Sequence, residues 1–251
     1  MSFLSSKMGQ FTYFSLQLGE KDWRRKNVLD FGGNIGNILR DPNCTIEHDR
    51  YWCLDVVEES IGRGQAAFPE AHWIFYDRYC FFFNPLGTSM LKLPPIAESF
   101  DYIVAYSVFT NTSQTDMLDL VSQLENRLTE GGTLAFTFID PNYKSWPDTY
   151  RGNNLVWRLE REIFLENEKG NKLEINVESI ARKANDAAWF VLVNGEDLYL
   201  ETEQIRTYEP VTQRTYHTFY TANYVKSLFP RATIMPPVND EMQHCCVITR
   251  T

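Results

Sequence analysis

The sequence predicts an α/β fold: a doubly wound seven-stranded sheet, mostly parallel with an antiparallel edge strand, plus a cap insertion after the fifth strand. Three observations predict it. Short continuous apolar runs recur from Asn27 onward with helical patterns between them, and strands buried on both faces read this way. A glycine pair, Gly32-Gly33, closes the first run. Between Tyr102 and Ile139 a strand, a helix and a strand follow in about 40 residues, the length of a βαβ crossover.

Each element has a local reason. Residues 1–26 are expected to be an N-terminal helical segment, with Phe11, Tyr13 and Phe14 as its buried face or, alternatively, as a lid over a ligand. Strands are expected at Val28–Phe31, Tyr51–Asp55, His72–Asp77, Tyr102–Tyr106 and Thr133–Ile139. A helix is expected to begin in the glycine turn after the first strand. Ser113-x-x-Asp116 looks like a capping box with Asp in the role of Glu. Behind it Met117, Val121, Leu124 and Leu128 form one helical stripe, which Gly131-Gly132 is expected to stop.

The rhythm breaks at Pro141. The run Pro141–Pro147 is a loop signal, and Leu155, Leu159 and Ile163 mark a helix. Trp189–Leu200 reads as a β-hairpin turning at Asn194-Gly195. Tyr224–Phe229 is helical, and Ala232–Met235 with Cys245–Thr249 could form an antiparallel pair at a sheet edge. The expected division is a core of residues 27–140 and 216–251 with a cap insertion at 141–215.

Composition narrows the function. The chain has 251 residues, with 24 Lys+Arg against 33 Asp+Glu and a net charge of −9, which argues against a binder of nucleic-acid backbones. No apolar stretch approaches a membrane span, and the N-terminus lacks a signal-peptide core. The five cysteines form no CxxC pair, so a reduced cytoplasmic setting is expected. The four histidines show no zinc-type spacing, so no metal site is expected.

The informative run is Asn27–Leu39, where a strand ends, glycines turn the chain and a ligand-facing loop is expected. A dinucleotide fingerprint starting at Gly32 would meet Asn34 and Asn37 where it needs glycine, so it matches one position of three. The spacing of Asp30, Gly32 and Gly36 instead resembles the first motif of class I S-adenosylmethionine-dependent methyltransferases, D-x-G-x-G-x-G, with Asn34 at the middle glycine. Asn tolerates left-handed backbone better than most residues. Phe100–Thr110 resembles the family's fourth motif and Leu128–Phe136 its run into the fifth strand. The resemblance covers about Asn27–Asp140 and, more faintly, Phe219–Arg250, but not the insertion.

That resemblance implies a Rossmann-like fold and an S-adenosylmethionine site built from Asp30, Gly32, Gly33, Asn34, Gly36, Asp55, Val56, Asp77 and Tyr106. Asp55 would accept the ribose hydroxyls, and Asp77 would lie near the adenine amino group. It also implies methyl transfer by in-line displacement. A hydroxyl acceptor would need a base, whereas a carboxylate is already ionised and needs none. The family's frequent histidine after the fourth strand is replaced by Thr110-Asn111, and the amino-type Pro-Pro-aromatic motif is missing. His217, as base, and Tyr106, as hydrogen-bond donor, are the catalytic candidates. The expected acceptor is a small molecule or short peptide, methylated at oxygen. An NAD(P)-dependent oxidoreductase and a non-catalytic cofactor-binding regulator are the alternatives.

Overall fold

The computed structural model describes residues 8–80, 83–140, 189–193, 196–199, 215–239 and 243–251, with backbone alone at 189–193, 196–199, 215–217 and 219. In chain order its strands are β1 (Val28–Phe31), β2 (Tyr51–Asp55), β3 (His72–Phe75), β4 (Phe100–Ala105), β5 (Leu128–Phe138), β6 (Trp189–Val193), β7 (Glu196–Tyr199), β8 (Thr215–Phe219), β9 (Thr233–Met235) and β10 (His244–Thr249). Its helices are α1 (Gln10–Leu18), α2 (Glu58–Ala67), α3 (Gln114–Glu125) and α4 (Ala222–Leu228).

Seven strands form the central sheet in the order β3-β2-β1-β4-β5-β10-β9. The β3, β2, β1, β4 and β5 ladders are parallel, and β10 runs antiparallel to both β5 and β9. The seven-stranded, mostly parallel sheet with its antiparallel edge pair thus forms as predicted. A second sheet has the order β7-β6-β8. Its β6 and β7 pair antiparallel around residues 194–195, the predicted hairpin, and β8 lies parallel to β6.

Alternation along each strand divides the apolar residues between two cores. Leu29, Phe31, Trp52, Leu54, Ile103, Leu134 and Phe136 pack on one face with Met117, Leu120 and Leu124 of α3 and Val225 of α4. Val28, Tyr51, Cys53, Val104 and Ala135 pack on the other with Phe11, Tyr13 and Phe14 of α1, and Ile61 of α2. The three aromatic residues of α1 are buried, so they form its core-facing side. No helix among the described residues is long and apolar enough to cross a membrane.

Four expectations change. No α-helix follows β1. Residues 34–40 form successive turns, because Asn34 and Gly36 both hold positive φ (55° and 77°) and break the repeat. The third strand ends at Phe75, two residues before Asp77. Helix α3 ends at Glu125, so Leu128 belongs to β5. Gly131-Gly132 lies inside β5, where φ 75° at Gly131 accompanies a register shift against β4. The capping box holds: the Asp116 N–H donates to Ser113 Oγ at 3.1 Å, and that hydroxyl donates to Asp116 Oδ2 at 2.6 Å. The helix expected around Leu155–Ile163 lies outside the described residues.

Candidate functional site

The carboxyl ends of β1, β2 and β4 meet at a cavity of about 700 Å³. Chain connections leave β1 toward β2 on one side, while β4 flanks it on the other, so the cavity sits at the topological switch point. Its wall is mainly apolar with a few convergent polar groups, the composition of a small-molecule site.

The loop after β1 supplies Gly32 and Asn34 to the wall. Gly32 has φ 74°, and a Cβ there would lie 2.5 Å from Val108 Cγ2. Conformation and close approach therefore both require glycine. Gly33 and Gly36 do not line the cavity. A Cβ on Gly33 would meet the Asp30 carboxylate at 2.5 Å, and one on Gly36 the Trp73 ring at 2.9 Å. Those two glycines let the loop seat itself against its own supports.

Asp55 holds the loop from the end of β2. Its Oδ2 accepts the Asn34 N–H at 2.8 Å and its Oδ1 the Val57 N–H at 2.9 Å. Burial pushes its pKa up, against those backbone donors, which pull it down. A carboxylate has about four lone-pair sites, so it retains acceptor capacity beyond these bonds, and Asp55 lines the cavity. Val56 and Tyr106 also line it, and Tyr106 packs edge-on against Tyr13 and Phe14.

Asp30 points the other way, by strand alternation, into the core beneath α1. It is 2% exposed, accepts the Tyr51 hydroxyl at 2.8 Å and does not line the cavity. Burial raises its pKa to about 7; the Tyr51 bond opposes that rise and the nearby Asp55 charge adds to it. Asp77 is exposed, accepts a hydrogen bond from Asn84 Nδ2 at 3.0 Å and is likewise off the wall.

Tyr76 and Arg78 face the cavity instead. Arg78 is 2% exposed. Its guanidinium donates to Asp116 Oδ1 at 2.7 Å and to Asp119 Oδ2 at 2.8 Å, both on α3. Sequence reasoning missed Arg78, although the same two-residue alternation that turns Asp77 outward turns its neighbours inward. It also missed Gln10, Ser107 and Gln243, all on the wall. Ser107 holds φ 58° at the end of β4, an uncommon state for a non-glycine residue. His217 falls on β8 opposite Val191, and its side chain lies outside the described residues. Tyr220 is fully buried away from the wall.

Strand order and cavity position define the fold as that of class I S-adenosylmethionine-dependent methyltransferases. No protein-family model and no curated protein matches the sequence. Among solved structures, the chain is similar to a putative O-methyltransferase from Nostoc punctiforme, at 10% identity and TM-score 0.51 over 95% of this chain and 55% of that one. It also matches a pyocyanin biosynthetic protein at 14% identity and TM-score 0.47, over 92% of this chain and 52% of that one. A third match is the magnesium protoporphyrin IX methyltransferase from Synechocystis with bound SAH, at 11% identity and TM-score 0.45, over 95% and 78%. The chain thus spans about half the length of the first two proteins.

Proposed function

We propose that the chain is an enzyme that binds S-adenosylmethionine and transfers its methyl group to an oxygen of a small molecule or short peptide. The observation that carries this reading is the Asp55 carboxylate, fixed by two backbone N–H groups and open to a cavity at the β1/β4 switch point. Two vicinal ribose hydroxyls suit its remaining acceptor capacity. Gly32 and Asn34 would face the amino-acid end, Val56 and Tyr76 the nucleoside, and Tyr106 the methyl group. When bound, S-adenosylmethionine supplies a sulfonium methyl whose bond to sulfur breaks as the bond to the acceptor oxygen forms, the electron pair staying on sulfur. The chain's own part is to hold both reactants in line and exclude water, worth ~7–11 kcal/mol when the alignment is good.

The sheet also weighs against the oxidoreductase alternative. Dinucleotide-binding folds run 3-2-1-4-5-6, with the sheet mostly parallel. Here a reversed strand, β10, stands between β5 and the last edge strand. Residues 141–215 act as the cap over the acceptor side in this reading. The segment that follows them is tied to the wall, because Thr218 Oγ1 donates to the Thr112 carbonyl oxygen. For a hydroxyl acceptor His217 is the candidate base. Calorimetric titration with S-adenosylhomocysteine tests the reading. Saturable binding in the micromolar range is the expected result, and binding of NADPH without binding of S-adenosylhomocysteine would reverse it.

A further inference from the structure

Several polar groups on the wall, Gln243 among them, are not used by the cofactor reading. Gln243, just before β10, is 8% exposed and lines the cavity. Its main chain is held from one side, where the Tyr13 hydroxyl donates to the Gln243 carbonyl oxygen at 2.9 Å. Its side chain is held from another. The Ser107 N–H donates to Thr137 Oγ1 at 2.7 Å, and the Thr137 hydroxyl donates to Gln243 Oε1 at 2.5 Å. That relay fixes the orientation of the amide. Thr137 is fully buried, and its hydroxyl proton needs an acceptor, which the amide oxygen supplies. The Nε2 group therefore carries the free donors, with no partner among the described residues.

Its position separates it from the cofactor end. In the sheet, β2 with Asp55 and β10 with Gln243 stand two strands to either side of β4. At about 4.8 Å per strand, each lies roughly 10 Å from the strand that ends at Tyr106 and Ser107. The strained Ser107 links the two halves, because its N–H starts the relay that aims Gln243.

We propose that Gln243 is the acceptor-orienting residue and that the group it holds is a carboxylate. This deepens the methyltransferase reading and rests on it. A carboxylate offers only hydrogen-bond acceptors, matching a group that offers only donors; an ammonium offers the wrong sign, and an alcohol only one oxygen. One carboxylate oxygen sits on Nε2 and the other faces the methyl group. The second oxygen forms the new O–CH3 bond with its own lone pair, the C–S bond breaks toward sulfur, and no proton moves. Anion and sulfonium become a neutral ester and a neutral thioether, a change that an apolar wall favours over water.

The test uses three probes with one aromatic body: phenylacetate, 2-phenylethanol and 2-phenylethylamine. Each is titrated calorimetrically into the full chain saturated with S-adenosylhomocysteine. Phenylacetate is expected to bind at least ten-fold more tightly than the other two. Gln243→Leu and Gln243→Glu should each lower its affinity ten-fold or more, while the dissociation constant for S-adenosylhomocysteine stays within about three-fold. A preference for the alcohol or amine, no binding of any probe, or undiminished phenylacetate binding by Gln243→Leu overturns the carboxylate assignment while leaving the cofactor reading in place. Failure of the wild-type chain to bind S-adenosylhomocysteine overturns the cofactor reading itself, and this proposal with it.

Discussion

Asp55 serves two structures with one carboxylate. Its oxygens hold the Asn34 and Val57 backbones, and the same residue lines the cavity. Replacing it with Ala should weaken S-adenosylhomocysteine binding about ten-fold or more, since hydrogen bonds to a charged group are worth ~1.5–3 kcal/mol. Calorimetry on Asp55→Ala checks this, and an unchanged constant removes Asp55 from the site. Asp30 calls for a different measurement. Burial holds its native pKa near 7 against an ordinary value of 3.8, so between those values the native state keeps a proton that the unfolded chain has released. Stability should therefore be fullest at the acid end of that window and fall as pH rises toward 7. In Asp30→Asn that slope should become shallower in urea unfolding curves taken across the window. His217→Ala, if the acceptor is a carboxylate, should leave turnover at neutral pH unchanged.

At the scale of elements, the loop after β1 was legible in type and not in detail. Its glycines marked a tight turn, and Asn34 could stand in for the family's middle glycine because it holds φ 55°. The missing helix was not legible, since periodicity does not reveal that two positive-φ residues, Asn34 and Gly36, fall where the first turn should form. Gly33 and Gly36 illustrate the same limit. Their spacing matched a ligand motif, yet their neighbours are Asp30, Cys53, Trp73 and Phe68. Gly36→Ala should be destabilising by about 1–3 kcal/mol, through left-handed backbone strain and contact with the Trp73 ring, whose Nε1 is already committed to the Phe68 carbonyl. Chemical denaturation gives that number directly. The inner strands β1 and β2 were legible because both their faces are buried, so their composition is continuous and apolar. The β5 glycines misled because a glycine after a helix and a glycine in a bulge look alike in sequence. Gln243 gave no signal, since its role depends on Thr137 and Ser107, far away in the chain.

Across the whole molecule, Arg78 joins the far side of the sheet to α3. Its side chain is 3% exposed and bridges Asp116 and Asp119, while the Leu91 carbonyl accepts a further bond at 2.9 Å. Removing Arg78 leaves the part-buried Asp116 without its cation, while Asp119 keeps Lys92 at 2.8 Å, a loss of about 1–3 kcal/mol. Arg78→Leu should lower the denaturation midpoint accordingly, and adding Asp116→Asn should recover part of the loss. The reversed strand β10 reaches further still. Because it runs against its neighbours, the residue that enters it, not the one that leaves it, stands beside the carboxyl ends of β4 and β5. The chamber's two sides thus come from opposite portions of the polypeptide, one made early on the ribosome and the other late. Until β10 docks on β5, the chain has the Asp55 side of that chamber without the Gln243 side.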